Sequence, residues 1–367
     1  MTFSQIPGPL GQACRSNYME ARALFLKTAQ SIACDIDHYQ NEAVSGINGE
    51  ALFCDVARLG PDSASRKILL SSGVHGVEAY CGSAMQILIM QNLIPRIDFE
   101  DLQIIFVHIL NPYGCSHYTR NNENNIDLNR NFVDFSGVAT AAPELSQFRE
   151  ETYPSDWSGS DLKQVLKHIG HYISAHGPEK FQTLMTQGQY VWPQDPYFGG
   201  LAESWSNQVW ADICRKHCAP EVNLVHLDFH TGLGPRGACE LIYTGSPTHF
   251  QRAKNTFVSG RLIAPGAEGS STPSISGPLC CGLLSVNPDA LCVALEFGTI
   301  PIEDMLGTLI EANWLHNNPN CCAEERLRIQ HNTLKAFFIP EANWLDQVWD
   351  MSETYFMDAL HSLNKNR

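Results

Sequence analysis

The 367-residue chain is 44% hydrophobic, enough to bury a sizeable core, and its length alone would suit about two domains. Its formal charge of -15, with 24 Lys and Arg against 39 Asp and Glu and no basic patch, argues against nucleic-acid and anionic-membrane partners. Residues 1–9 lack a charged and apolar leader and no run of about 18 apolar residues occurs, so the cytoplasm is the expected compartment.

In chain order, periodicity predicts a helix over about 18–33, then strands near Leu52 and over Lys67-Ile-Leu-Leu-Ser-Ser72. His75 follows that second run, and Glu78 opens a helix-like stretch to about Gln91, a three-residue spacing that puts both side chains on one face. Leu102 to Leu110 reads as a buried strand. Asn111-Pro-Tyr-Gly114 turns out of it into an Asn-dense loop holding Arg120 and Asn125-Ile-Asp-Leu-Asn-Arg-Asn-Phe132. Residues 133–221 are the least sheet-like, with a helix expected over about 160–176 and a segment rich in Trp, Tyr and Gly over 187–210. They would either wall a site or serve structure alone, with Trp192, Trp205 and Trp210 as core.

Asn223-Leu-Val-His-Leu-Asp-Phe-His230 is strand-like and runs into the turn Thr231-Gly-Leu-Gly234. Further strands are expected near Glu240 and over 291–298, where Glu296 follows an apolar run. Beyond Pro301 the pattern is helical over about 302–316, 324–338 and 343–363, with Leu306, Leu309, Ile310 and Trp314 at packing spacing. This alternation predicts one α/β domain over 1–367: three layers, with a central mixed, mostly parallel twisted sheet covered on both faces. Residues 133–221 would be an insertion and 302–367 a helical C-terminal part.

A hydrolytic zinc ion takes three protein ligands from His, Glu or Asp and keeps a fourth position for water; His75, Glu78 and His230 supply that number. Singly, each reads as an ordinary surface or loop residue. Their joint placement at strand ends, where open α/β sheets gather ligands, selects them. A His, His, Glu set also admits other divalent ions. Asn129 and Arg130, side by side, can hold a carboxylate through the paired hydrogen bonds of a planar guanidinium, and Arg120 offers a separate cation. Glu296 could simply end a strand, yet a carboxylate closing an apolar run needs a partner or a task, and desolvation would suit it as a base.

The thirteen cysteines, odd in number and spread through apolar segments, are expected to be reduced small hydrophobes. Cys214-Arg-Lys-His-Cys218, with His217, gives only a weak second-metal pattern. Cys280-Cys281 and Cys321-Cys322 lack the spacing of a structural zinc module, and all three Cys-rich spots read instead as oxidation-sensitive.

Taken in order, His-x-x-Glu at 75–78, Asn-Pro-x-Gly at 111–114, Asp-Leu-Asn-Arg-Asn-Phe at 127–132, the distant His230 and the final Glu296 resemble the zinc carboxypeptidase superfamily, from about Lys67 to Gly298. Over nearly the whole chain, including Gly188-Gln-Tyr190, Tyr197-Phe-Gly-Gly200 and Trp205-Ser-Asn207, the sequence resembles a bacterial carboxypeptidase-like branch labelled a domain of unknown function. The resemblance implies one zinc ion per chain on His75, Glu78 and His230, with Glu296 as general base and acid. It further implies Arg120 stabilising the oxyanion, Asn129 and Arg130 gripping the substrate's free carboxylate, and Asp127 behind His75 fixing the metal-binding tautomer. The specificity pocket would fall in about 266–284.

Two features depart from the digestive-type peptidases. Val77 stands where they often carry Arg, and the Gly76 form is more similar to the deacylase branch. Tyr243, the only tyrosine between His230 and Glu296, lies too early to match their mobile tyrosine, which argues against a long peptide. The expected function is a zinc-dependent metallocarboxypeptidase-like hydrolase acting on a peptide or N-acyl amino acid with a free carboxylate. Alternatives are an N-acyl amino acid deacylase of the aspartoacylase/succinylglutamate desuccinylase type, and an inactive zinc-bound scaffold that binds peptide C-termini. Glu296 and Arg120 together argue against the scaffold, which needs no base. Oligomeric state is left open by the sequence.

Overall fold

The computed structural model describes residue 6 and residues 8–138, 143–152, 162–270 and 272–365. Among the described residues, eight strands form one sheet: β1 (Asp35–Ser45), β2 (Ala51–Leu59), β3 (Arg66–Ser72), β4 (Leu102–His108), β5 (Asn223–Gly232), β6 (Cys239–Tyr243), β7 (Leu262–Ile263) and β8 (Leu291–Gly298). Their order is β1-β2-β4-β3-β5-β8-β6-β7. The central run β4-β3-β5-β8 is parallel, as is the short β6/β7 pair, while β1/β2, β2/β4 and β6/β8 are antiparallel.

Every residue of β3, β4 and β8 is buried, which is why β4 and β8 read as almost unbroken apolar runs and β3 carries Ile68-Leu69-Leu70 at its centre. Alternate residues point into two separate cores. Ile68, Leu70, Ile104, Phe106 and Leu227 pack with Tyr80 and Ile87 of helix Ala79–Asn92 and with Trp344 and Phe356 of helix Ala342–Lys365. Leu69, Ile105, Val107 and Leu224 face Val209, Trp210 and Ile213 of helix Trp205–His217. Two covered faces make the three-layer α/β arrangement that the sequence predicts.

Local signals explain the helix starts. Asn17 Oδ1 accepts from the Glu20 amide at 2.9 Å and begins helix Tyr18–Ser31; Asn111 Oδ1 accepts from the Gly114 amide at 2.9 Å, with Pro112 in the first helical position of Pro112–His117. The three C-terminal helices lie at Ile302–Asn317, Ala323–Phe337 and Ala342–Lys365, close to expectation. The helix expected from about 160 is Leu162–His176, and residues 160 and 161 lie outside the described residues. Trp210 is fully buried as expected, whereas Trp192 and Trp205 are only half-buried.

Two strands were not legible. β1 is an edge strand with mostly exposed, polar residues, and β7 is two residues long, so neither carries an apolar alternation. The topology nevertheless fixes where chemistry can occur. β3 leads to β4 on one side, while β5, on its other side, leads toward β6 and β8. The connections diverge between β3 and β5, so a crevice opens at the carboxyl ends of these two strands. Among the described residues, no helix is long and apolar enough to cross a membrane.

Candidate metal centre and its cleft

His75 sits three residues past the end of β3, in a loop tied to the segment after β4: the Gly76 amide donates to the Arg120 carbonyl and the Val77 amide to that of Thr119, both at 3.0 Å. Gly76 is required there, because a Cβ at this position would lie 2.2 Å from the Gly114 carbonyl carbon. Glu78 closes a single turn of 3₁₀-helix before helix Ala79–Asn92, and His230 stands near the end of β5, directly opposite Glu296 of β8 in register. His75, Glu78 and His230 thus converge from one sequence neighbourhood and one distant strand. Their ligand atoms all lie within 4.8 Å of one another, and all three side chains are buried. Among the described residues, this is the one group of His, Cys, Asp and Glu side chains gathered closely enough to hold a metal ion.

The hydrogen bonds assign the imidazole tautomers. His75 Nε2 lies 3.1 Å from Asp127 Oδ1 and His230 Nε2 lies 2.8 Å from Asp228 Oδ2. A carboxylate only accepts, so both Nε2 atoms carry protons and both Nδ1 atoms turn toward Glu78. His75 Nδ1 is 2.9 Å from Glu78 Oε1 and His230 Nδ1 is 3.1 Å from Oε2. The first contact is short but has no hydrogen-bond alignment, leaving His75 Nδ1 a buried nitrogen without a partner. Lone pairs facing a carboxylate demand a cation between them, either protons or a metal. Burial alone would push the His230 imidazole down, but Asp228 and Glu78 outweigh it and hold it well above its ordinary range.

Charge balance gives the same answer. Four buried carboxyl groups, Glu78, Asp127, Asp228 and Glu296, face two guanidiniums, Arg120 and Arg130, which leaves two negative charges when all four are ionised and the imidazoles are neutral. One divalent cation would neutralise them, and two imidazoles with a carboxylate suit zinc. These residues therefore fit the ion.

The remaining side chains named from the sequence surround this cluster. Arg120 Nη1 donates to Glu78 Oε1 at 2.9 Å, and its Nη2 and Nε reach Asp127 Oδ2 at 3.2 and 3.4 Å. Asp127 Oδ1 also accepts from the Asn129 amide at 3.0 Å. Burial would raise the Asp127 carboxyl, but Arg120, Arg130 and His75 hold it well below the usual range. Arg130 is buried, with Nε and Nη2 on the Thr186 carbonyl at 3.0 and 2.7 Å and Nη1 on the Asn129 carbonyl at 2.9 Å. Asn129 Oδ1 accepts from the Leu279 amide at 2.8 Å. Glu296 Oε1 accepts from the Leu233 amide at 2.8 Å; burial and the nearby charge of Glu78 push its carboxyl up to about 7.

Reading the sequence passed over two residues. Asp228 stands two positions before His230, and the period of a strand places both on one face, so that spacing was the available signal. Tyr197, the first residue of the Tyr-Phe-Gly-Gly motif, holds φ +56°, a left-handed conformation unusual for an aromatic residue, with its ring 5.6 Å from the Arg120 guanidinium carbon and 5.4 Å from that of Arg130. Val77 is fully buried in the core, so no cation stands where peptidases often carry Arg. Cys214 and Cys218 are packed in the core beside Trp210.

A cleft of about 970 Å³ contains the cluster together with Arg120, Asn129, Arg130, Tyr197 and Glu296. Ile173, Phe181 and Met185, from helices Leu162–His176 and Pro178–Thr186, form part of its wall, so the segment after Phe132 borders the site. Ala264, Pro265, Thr272 to Ile275 and Pro278 to Cys280 line another side, overlapping the stretch expected to form a specificity pocket.

The family model described as "Protein of unknown function (DUF2817)" matches residues 15–351. No curated protein matches the chain. Among solved structures, carboxypeptidase A from Helicoverpa armigera is similar at 14% identity and a TM-score of 0.47, over 92% of this chain and 75% of that one. A metallo-carboxypeptidase from Pseudomonas aeruginosa gives 14%, 0.36, 84% and 69% for the same quantities. An aspartoacylase family protein from Mesorhizobium loti gives 14%, 0.37, 77% and 66%. At TM-scores below 0.5, these likenesses leave the chemistry to this chain's own residues.

Proposed function

The chain belongs to the DUF2817 family, whose description assigns no activity, and from its own site we propose that it is a zinc-dependent hydrolase cleaving an amide bond next to a free carboxylate, as a carboxypeptidase acting on short or modified peptides. The observation that carries this reading is the buried His75, Glu78, His230 cluster, with a carboxylate behind each imidazole and Glu296 on the neighbouring strand. Zinc held by those three side chains would supply a Lewis acid and a water acidified to roughly pKa 7. Glu296 takes the proton from that water and delivers it to the leaving amine, a task suited to a carboxyl raised to about 7.

Arg120 is bound to Glu78 and Asp127 through three of its five N–H groups, and the remaining two can meet the developing oxyanion. Arg130, held by two carbonyls, likewise has one N–H left on each terminal nitrogen, a paired arrangement that fits a substrate carboxylate beside Asn129. Buried Val77 favours a short substrate and supports a second reading, removal of an acyl group from an amino acid. The decisive variant is Glu296→Gln. It should retain one zinc per chain by elemental analysis while turnover falls roughly 100-fold or more; zinc retention with unchanged turnover would remove Glu296 as the base.

A further inference from the structure

Beneath the metal cluster the cleft continues down β5. Four residues separate His226 from His230, so His226 lies roughly 13 Å deeper along the strand, on the same face, and it lines the cleft. In register, Asp228 stands beside Ala294, the small side chain that leaves this passage open.

The hydrogen bonds at the floor determine what it presents. Asp228 accepts from His230 through Oδ2 and from Ser71 Oγ through Oδ1 at 2.6 Å. Ser71 has a single hydroxyl proton and spends it on Asp228. The 2.7 Å contact between Ser71 Oγ and His226 Nε2 must therefore be a donation from His226. Burial pushes the His226 imidazole down to about 4, so it is neutral near pH 7 and its Nδ1 is a bare acceptor. That Nδ1 is buried and has no partner. An unpaired buried acceptor costs stability, and because His226 lines the cleft, a ligand that opens the floor to this shielded nitrogen and donates to it recovers that cost.

We propose that His226 is a specificity-determining residue: its Nδ1 accepts a hydrogen bond from the tip of a substrate side chain, so the cleft selects residues carrying a terminal donor, such as a phenol, amide or amine. The inference rests on the amide-hydrolase reading for the placement of the substrate above the floor. Ser71 and Asp228 act as positioning residues, because together they fix the tautomer that makes Nδ1 an acceptor.

The test compares zinc-loaded protein on N-acyl dipeptides ending in matched pairs: Tyr against Phe, Gln against Met, and Lys against norleucine. The donor member should give a kcat/KM roughly 10-fold to 100-fold higher in at least one pair, and His226→Phe should bring that ratio close to one. His226→Gln, whose amide oxygen still accepts, should keep part of the preference. Calorimetry with the corresponding free amino acids provides a second readout that needs no turnover, and the same preference should be seen in affinity. Equal values for every pair in the unmodified protein, in hydrolysis and in binding, would overturn the proposal while leaving the hydrolase reading intact. A preference that survives His226→Phe would also overturn it. If no substrate is hydrolysed, the hydrolase reading fails, and the binding ratios alone decide whether the floor selects a donor.

Discussion

The role of Glu296 follows from its surroundings more than from its identity. The same carboxylate on a wet strand end would titrate near its ordinary value; here burial and the charge of Glu78 raise it to about 7, while His230 and a backbone amide pull in the other direction. A general base works in its ionised form, so activity should be full above this value and lost as pH falls through it. The acid limb of kcat/KM should accordingly lie at or below about 7, because a cation held by Glu78 draws the value down, and a limb at about pH 8 or higher, or one that persists unchanged in the residual activity of Glu296→Gln, would contradict the assignment. Asp228 makes a second prediction. Asp228→Ala removes the acceptor that fixes His230, and zinc affinity in a chelator competition should weaken about 10-fold to 100-fold. Unchanged affinity would leave Asp228 as part of the cleft floor only.

At the scale of elements, the strands that position the site were legible because burial on both faces writes itself as an apolar run. β4 and β8 carry that signature along their length and β3 at its centre, whereas β5 alternates apolar residues with His226, Asp228 and His230; the residues at the carboxyl ends of these strands carry the chemistry. β1 was not legible: its exposed edge position permits Asp, His, Gln, Asn and Glu, which no periodicity distinguishes from a loop. The energetics should divide in the same way. Phe106→Ala empties a fully buried position on β4 and should cost about 3 to 5 kcal/mol in urea unfolding, whereas Gln40→Ala on β1 should stay within about 0.5 kcal/mol. Comparable costs for the two would mean that the sheet edge is more tightly built than its burial indicates.

For the whole molecule, the sequence order of motifs singled out eight side chains that the fold brings to one place, though not Asp228 or Tyr197 beside them, and the topology explains why such distant positions meet. What sequence could not supply was the commitment of each polar atom. Arg130 was read as a free carboxylate clamp, yet three of its donors are spent on the Thr186 and Asn129 carbonyls, and only the folded chain reveals which remain. Residues 133–221 offered a wall for the site as one of two readings, without showing that Ile173, Phe181 and Met185 would supply it, because amphipathic helices advertise a buried face without saying what it borders. The most direct measurement is mass spectrometry of zinc-loaded protein incubated with a peptide library, half with free and half with amidated C-termini, together with N-acylated amino acids. The account predicts zinc-dependent release of one residue from free-ended peptides and none from the amidated half. Cleavage of acyl amino acids alone would shift the activity to deacylation, and the absence of any zinc-dependent product, or equal cleavage of free and amidated peptides, would contradict a hydrolase that recognises a free carboxylate.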